Sequence, residues 1–336
     1  MKHDVSRLLD CLAAGYRLDL DHASYVKQLV DLAVPLLDVG LGVIGYTYDA
    51  TNPGNPVIDT FVNSDLFDPA WLPPFYESLA KAQVDVPRSD HPTGFQAWGS
   101  MRCGQASQIE GMRDILPHFR HIGGSTDSFA VNALDASGRG LWLGAPLPTT
   151  KKIPDARVTL FTRFASHLTS AYRIRRTHGP KPPPRAAVMS PRGKLLHAEG
   201  DSIAGARDEL RDATLAFDHA RTRKMRDDVE LATRTWKPLI ESRWALLDEF
   251  DTDGKRFVVA VENAPPTRAR TKELSERELQ VLTAAHFGHS NKVIAYELGL
   301  AASTVRVLLH RAAQKLGAKT REQAISRFDE VLKNSK

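Results

Sequence analysis

Hydrophobic residues recur at helical spacing in three short segments between Leu274 and Ile325, and each segment has its own start and stop signals. The first segment begins at Ser275, whose hydroxyl can accept a backbone N–H. Glu278 follows three residues later, where its carboxylate can reach back to complete a capping box. Gly288 is the expected stop signal, because glycine adopts left-handed backbone geometry at little cost. The pattern predicts a first helix with defined ends.

The next two segments carry similar signals. Ser290 is the expected N-cap of a second helix from Asn291 to Leu298, and Gly299 is expected to end that helix. After a short turn, Ser303 is the expected N-cap of a third helix. The inward-facing residues of the third helix form one apolar stripe: Val305, Leu308, Leu309, Ala312 and Leu316.

The opposite face of the third helix combines cations, hydrogen-bond donors and one valine, a mixture that suits the major groove of DNA. Arginine can bond a guanine edge through two parallel N–H groups, and valine can touch a thymine methyl. The predicted base-reading residues are Arg306, Val307, His310 and Arg311. Polar and basic residues elsewhere in the module are the predicted phosphate contacts: Ser290, Asn291, Lys292, Ser303, Thr304, Gln314, Lys315, Lys319 and Arg321.

Five short motifs lie at characteristic mutual spacing in this region: Ser290-Asn291-Lys292, Ile294-Ala295, Leu298-Gly299, Ser303-Thr304-Val305 and Lys315-Leu316-Gly317. Together they resemble the C-terminal domain of LuxR-type bacterial transcription regulators. The resemblance covers the C-terminal part of the chain and implies an all-α helix-turn-helix whose third helix enters the major groove. The chain departs from many relatives at His310, where they carry lysine or another polar residue, and this departure leaves the preferred DNA sequence open.

The resemblance also implies dimerisation through a fourth helix, expected here from Thr320 to Leu332. Apolar residues at helical spacing along this segment can form a seam between two chains. The predicted dimerisation residues are Ile325, Phe328, Val331 and Leu332.

The basic charge of the chain is concentrated in the same region. Residues 265–336 contain 13 Lys and Arg against 7 Asp and Glu, a net charge of +6, whereas residues 1–264 carry a net charge of −1. A polyanionic partner is therefore expected for the C-terminal segment alone, since neutralising phosphates supplies much of the affinity for DNA.

Residues 1–178 are expected to form a separate sensor domain, followed by a Pro-rich linker at 179–185. The pattern predicts a helix over 25–37, strands near 43–48 and 57–62, a hairpin of 128–134 with 140–145, and a helix over 155–175. This order of elements resembles a GAF domain, a six-stranded antiparallel sheet with helices that often holds a small ligand.

Residues 186–264 are expected to form a second α+β domain, joined by a linker at 265–273 to the module at 274–336. The pattern predicts a short hairpin, helices over 203–220 and 228–240, and a second hairpin, an order that resembles a PAS domain. Trp236 and Trp244 are interpreted as core residues, with cofactor stacking as the alternative.

Two motifs that could carry chemistry are interpreted as structural. Gly40 to Gly45 fit G-x-G-x-x-G, but a dinucleotide site needs a strand before the glycines and a helix after them, and here the order is reversed. His118 and His121 could face one metal ion from a helix over 112–121, with Cys103 as a third ligand, yet a pair of partly exposed histidines is the favoured interpretation.

The sequence thus predicts a multidomain α+β protein that acts as a cytoplasmic, sequence-specific transcription regulator and not as an enzyme. Two cysteines, no signal-peptide core and no long apolar run favour the cytoplasm. The expected partners are double-stranded DNA, a second copy of the chain and a small-molecule effector, with no membrane, no metal and no assigned cofactor.

Two alternatives remain open at this point. The N-terminal region could be a small-molecule receptor or enzyme whose helical tail serves only for dimerisation. Within the regulator class, the sensor could instead bind an acyl-homoserine lactone. Tyr46, Tyr48, Asp59 and Trp71 superficially suit such a pocket, although their spacing does not reproduce that family's pattern.

Overall fold

The computed structural model describes residues 2–50, 57–82, 102–109, 112, 114–135, 138–179, 185–199, 201–220, 222, 231, 244–250, 253–262 and 274–334. The chain divides into two compact units, Met1–Arg175 and Arg176–Lys336. The predicted linkers at 179–185 and 265–273 fall mostly or wholly outside the described residues. The division into three domains therefore stays a prediction.

The first unit is built on an antiparallel sheet with five strands in its described part, in the order β2-β1-β5-β4-β3. The predicted strands and the hairpin formed by β4 and β5 are confirmed, although a GAF domain was expected to have six strands. The strands are β1 (Ile44–Asp49), β2 (Val57–Asn63), β3 (Cys103–Gln105), β4 (Asp127–Leu134) and β5 (Arg139–Leu147).

Two of the unit's described helices pack together over one face of this sheet. Phe161 of α4 meets Phe129 of β4 edge-on, with ring centroids 5.5 Å apart. Arg157 Nη2 of α4 donates to the Leu36 carbonyl of α2 at 2.5 Å, so these helices are neighbours. The pattern predicted α2 and α4 but missed α1. The helices of the unit are α1 (Lys2–Gly15), α2 (His22–Leu37), α3 (Leu72–Lys81) and α4 (Asp155–His178).

Alternation along β1 separates the two faces of the sheet, because successive side chains of a strand point to opposite sides. Thr47 Oγ1 lies 3.1 Å from His22 Nε2 of α2, and a Cβ at Gly45 would meet Val30 of α2. Tyr46 and Tyr48 therefore point to the other face. That face is covered by α3 and by a 3₁₀ helix, Leu116–His121, which replaces most of the helix predicted over 112–121.

A hydrophobic cluster fills the space between this face and its cover. Its largest buried members come from separate segments of the chain: Phe67, Phe75, Leu79, Ile115 and Phe119. Trp71 packs on this cluster and meets the Phe67 ring edge-on at 5.3 Å. Of the residues considered for a lactone pocket, Tyr46, Tyr48 and Trp71 lie at this face, whereas Asp59 is exposed on β2 and does not line it.

The glycine-rich segment from Gly40 to Gly45 joins α2 to β1, so the predicted order of helix before strand is confirmed. Asp38 Oδ1 accepts the backbone N–H groups of Gly40, Leu41 and Gly42 at 2.7 to 2.9 Å. The carboxylate ties the loop back to the end of α2. This loop is therefore a helix-to-strand connection, as the sequence indicated.

The described part of the second unit contains a four-stranded antiparallel sheet in the order β7-β6-β9-β8. Both predicted hairpins are confirmed, and Trp244 is buried in the core, whereas Trp236 and nearly all of the helix predicted over 228–240 lie outside the described residues. The elements are β6 (Arg185–Met189), β7 (Leu195–Ala198), a 3₁₀ helix (Asp201–Ala206), α5 (Arg207–Ala220), β8 (Trp244–Phe250) and β9 (Arg256–Glu262).

The second unit ends in four helices: α6 (Glu276–His286), α7 (Asn291–Leu298), α8 (Ala302–Lys315) and α9 (Arg321–Asn334). The predicted caps at Ser275 and Ser290 and the stop at Gly299 are confirmed. The predicted cap at Ser303 is wrong. Helix α8 begins two residues earlier than predicted, because the carbonyl of Ala301 accepts the first helical bond from Val305 N at 3.1 Å, and no side chain caps it.

No single described helix is long and apolar enough to cross a membrane, and only α7 with α8, as a pair bent by 106°, passes by length and composition. No group of three or more described His, Cys, Asp or Glu side chains could hold a metal ion. His118 is buried, with Nδ1 2.7 Å from Ser78 Oγ.

Candidate nucleic-acid interface

The first helix of the C-terminal module is fixed at its start by a reciprocal capping box. Ser275 Oγ accepts Glu278 N at 3.3 Å, and Glu278 Oε2 accepts Ser275 N at 2.7 Å. The same carboxylate oxygen accepts Lys315 Nζ at 2.7 Å, although Lys315 is 37 residues away at the end of α8. One buried carboxylate thus joins the start of α6 to the end of α8.

The environment of Glu278 favours its charged form. Burial of the carboxyl group opposes ionisation, but the hydrogen bonds from Lys315 and Ser275 outweigh it and lower the pKa of Glu278. The negative charge also lies at the N-terminus of α6, where the helix dipole favours it. Glu278 is therefore an anionic tie between two helices.

A tight turn sets the angle between α7 and α8. Ser290 Oγ accepts Val293 N at 3.3 Å at the start of α7, and Gly299 closes the helix with φ 66°. Leu300 N then bonds back to the Ala295 carbonyl at 2.8 Å, which satisfies a carbonyl at the helix end. The two helices are bent by 106°, within the range of about 90–120° that is typical of a helix-turn-helix.

Helix α8 has one buried face and one exposed face. All the stripe residues predicted to point inward are buried except Leu316, which is half-buried, and Ala313 joins them. Val307 is 48% exposed, so one apolar side chain lies among the polar residues of the exposed face. The structure thus places all four predicted base-reading residues on the exposed face: Arg306, Val307, His310 and Arg311.

The predicted phosphate contacts fall into two groups. Lys292 and Lys319 are exposed, as are the side chains of Ser303, Thr304 and Gln314. The other four residues serve the fold as well. Ser290 caps α7, and Lys315 binds Glu278. Arg321 donates to Asn291 Oδ1 at 3.3 Å and to the His289 carbonyl at 2.5 Å.

The fourth helix lies against the module, and its apolar residues are not all available to a second chain. Phe328 is 1% exposed and packs edge-on against His286 of α6, with centroids 5.8 Å apart. The prediction that it forms a dimer contact therefore needs correction, because its ring belongs to the core of the module. Ile325 is half-buried, and the side chains of Val331 and Leu332 lie outside those described.

Sequence reasoning missed two details of the module. Thr320 Oγ1 accepts Gln323 N at 3.2 Å, and Gln323 Oε1 accepts Lys319 N at 2.9 Å, so α9 has its own side-chain cap. The three-residue spacing of Thr320 and Gln323 is the sequence signal of such a cap. No local sequence signal indicated the bond between Lys315 and Glu278, since these residues are 37 positions apart.

The geometry defines a helix-turn-helix module with an exposed, partly basic third helix. Residues 272–328 match the model of the family described as bacterial regulatory proteins, luxR family. A 79-residue segment is also 39% identical to the HTH-type transcriptional regulator MalT of Klebsiella pneumoniae subsp. pneumoniae. That segment covers 23% of this chain and only 9% of the relative, so the similarity concerns the C-terminal module.

Proposed function

We propose that the protein is a sequence-specific DNA-binding transcription regulator whose third module helix, α8, reads the major groove. The observation that carries the proposal is the exposed face of α8, presented by a helix pair bent by 106° in a region that matches a family of regulatory proteins. A buried stripe holds this helix on the module, so its opposite face is free to meet a partner.

The chemistry of that face supports base reading. Arg306 and Arg311 carry donors that match the O6 and N7 acceptors of guanine, and Val307 presents methyl groups to a thymine methyl. His310 can donate or accept a hydrogen bond in either neutral tautomer. Lys292 and Lys319 are the exposed cations best placed to bind phosphates, because neither makes a described ion pair.

Two features of the proposed mechanism concern the whole protein. A homodimer would place two copies of α8 in successive major grooves, about 34 Å apart on a two-fold symmetric site. The N-terminal unit would sense a small molecule and bias the equilibrium between binding-competent and incompetent states. This role is regulatory rather than catalytic.

Salt titration of DNA binding tests the proposal. The full chain is expected to bind duplex DNA with an affinity that falls steeply as salt rises. Neutralisation of two phosphates by Lys292 and Lys319 gives a slope of log K against log salt of about −2 or steeper for each bound module. An affinity that does not change between low and high salt would contradict DNA binding.

Two lysine variants distinguish the loss of a phosphate contact from the loss of one positive charge elsewhere in the protein. Lys292→Ala should reduce the slope by about 1 per bound module. Without this phosphate contact, fewer counterions are released when the module binds DNA. Lys81→Ala removes the same charge from α3 of the first unit, where Lys81 pairs with Glu77, and should leave the slope unchanged.

A further inference from the structure

The first unit contains a cavity of about 270 Å³ between its sheet and the cover formed by α3 and the 3₁₀ helix. Strands β1 and β5 form its floor, and Phe75 and Phe119 belong to the opposite wall. The volume is close to the lower end of the range of about 300–1,000 Å³ that is usual for small-molecule sites.

The lining restricts the charge of any occupant. Its described residues are mainly leucine, isoleucine, phenylalanine and other apolar side chains, and none of them is charged. A carboxylate, phosphate or ammonium group placed there would lose its hydration without gaining an opposite charge from this lining, which is strongly unfavourable. The described lining therefore favours an occupant that is uncharged and mostly apolar.

Two aromatic rings of the floor stack against each other. The rings of Tyr46 and Trp142 are stacked, with centroids 4.9 Å apart and an angle of 15° between their planes. Gly144 makes room for the indole, since a Cβ at this position would come within 2.1 Å of Trp142 Cη2. A planar ring of a ligand can extend such a stack or meet its edge with favourable aromatic contact.

The polar atoms of the lining indicate where a ligand would bond. Tyr48 Oη donates to Asn132 Oδ1 at 2.5 Å, so its proton is already committed. The Tyr46 hydroxyl makes no hydrogen bond to any residue in the described part of the chain. Burial, reinforced by the neighbouring Tyr76, raises the pKa of Tyr46, so the hydroxyl stays protonated as a donor.

We propose that this cavity is the binding site for an uncharged, mostly apolar ligand that carries a planar ring and one oxygen able to bond the Tyr46 hydroxyl. The inference rests on the proposed function only in that the N-terminal unit senses a small molecule. Tyr46 contributes both contacts, because its ring belongs to the stacked pair and its hydroxyl is the available donor.

Calorimetric titration of the full chain with three ring compounds of similar shape tests the ligand class. We expect 2-naphthol and naphthalene to bind, with 2-naphthol tighter by about threefold to tenfold, which is the net value of one hydrogen bond. The carboxylate 2-naphthoate should bind at least about tenfold more weakly than 2-naphthol. Equal binding of 2-naphthoate and 2-naphthol, or no binding of either neutral compound, would overturn the proposal.

Two tyrosine variants locate the site. Tyr46→Phe keeps the ring and should abolish the preference for 2-naphthol while leaving naphthalene binding unchanged. Tyr16→Phe removes a hydroxyl from the same unit, at a position that bonds the His167 carbonyl and does not line the cavity, and it should keep the preference. A preference that survives in Tyr46→Phe would place the ligand elsewhere and overturn the proposal.

DNA binding by the same preparations separates this inference from the proposed function. Absence of 2-naphthol binding together with salt-dependent DNA binding would contradict the cavity assignment alone. Binding of 2-naphthol that depends on Tyr46, together with a flat salt response of DNA binding, would support the cavity assignment and contradict the DNA-binding role.

Discussion

At the residue scale, Glu278 serves two structural partners at once. Its carboxylate completes the capping box with Ser275 and accepts Lys315 Nζ at 2.7 Å. The side chain of Glu278 is 5% exposed and that of Lys315 is 42% exposed, so solvent screens the pair in part. The bond links the start of α6 to the C-terminal turn of α8, and it therefore contributes to holding the candidate reading helix in place.

The Glu278→Gln variant tests this tie, because glutamine can keep the capping box but not the ionic bond. We expect the module to lose about 1 kcal/mol of stability at neutral pH, measured by hydrogen exchange of the α6 and α8 amides. Glu77→Gln, which breaks an exposed pair with Lys81 in the first unit, is the matched control and should leave these amides unchanged.

The effect should depend on pH in one direction. The folded-state pKa of Glu278 is lowered, so its contribution is present above the unfolded value of about 4.3 and is lost as pH falls through the folded value. The difference between the natural chain and Glu278→Gln should therefore shrink on acidification below about pH 4. A difference that grows with acid would contradict the ionic tie.

At the scale of elements, local signals predicted most boundaries in the C-terminal module. Ser275, Ser290 and Gly299 mark helix ends through bonds to residues at most four positions away, and the structure confirms all three. Ser303 does not cap α8, because the turn after Gly299 is shorter than the sequence predicted. The carbonyl of Ala301 already accepts the first bond of α8, so the backbone and not a hydroxyl sets that start.

Gly299 sets the turn between α7 and α8, since its φ of 66° lies in the left-handed region. Gly299→Ala should destabilise the module by about 1 to 2 kcal/mol and weaken DNA binding, because a Cβ is disfavoured in this geometry. Chemical denaturation and DNA titration measure both effects. Gly205→Ala is the matched control: a Cβ there would meet nothing within 4 Å, and both measurements should stay unchanged.

At the scale of the whole molecule, sequence periodicity predicted both hairpins of the second sheet and every described strand of the first sheet except β3, but not the cavity. The cavity is assembled from residues as far apart as Ile44 and Pro146, and their convergence depends on strand order. Gly144 shows the difficulty, because its role is to admit the ring of Trp142 two positions away. Periodicity predicts which residues of a strand lie on the same face of the sheet, but it does not predict what packs on that face.

Oligomerisation is also a property of the whole molecule. If α9 supplies the dimer contact through Ile325, Ile325→Ser should weaken binding to DNA with two half-sites far more than binding to one half-site. Glu330→Ser changes an exposed residue of the same helix and should affect neither. Sedimentation of both variants measures the dimer directly, and an unchanged dimer in Ile325→Ser would exclude this residue from the interface.

The central claim is that the exposed face of α8 reads DNA sequence, and the Arg306→Ala variant tests it most directly. Binding of the full chain is compared on the DNA selected from a random pool and on unselected DNA. The account predicts a loss of about 1 to 3 kcal/mol on the selected DNA and a much smaller loss on unselected DNA. Equal weakening on both would show that Arg306 binds phosphates only and would contradict base reading by this residue.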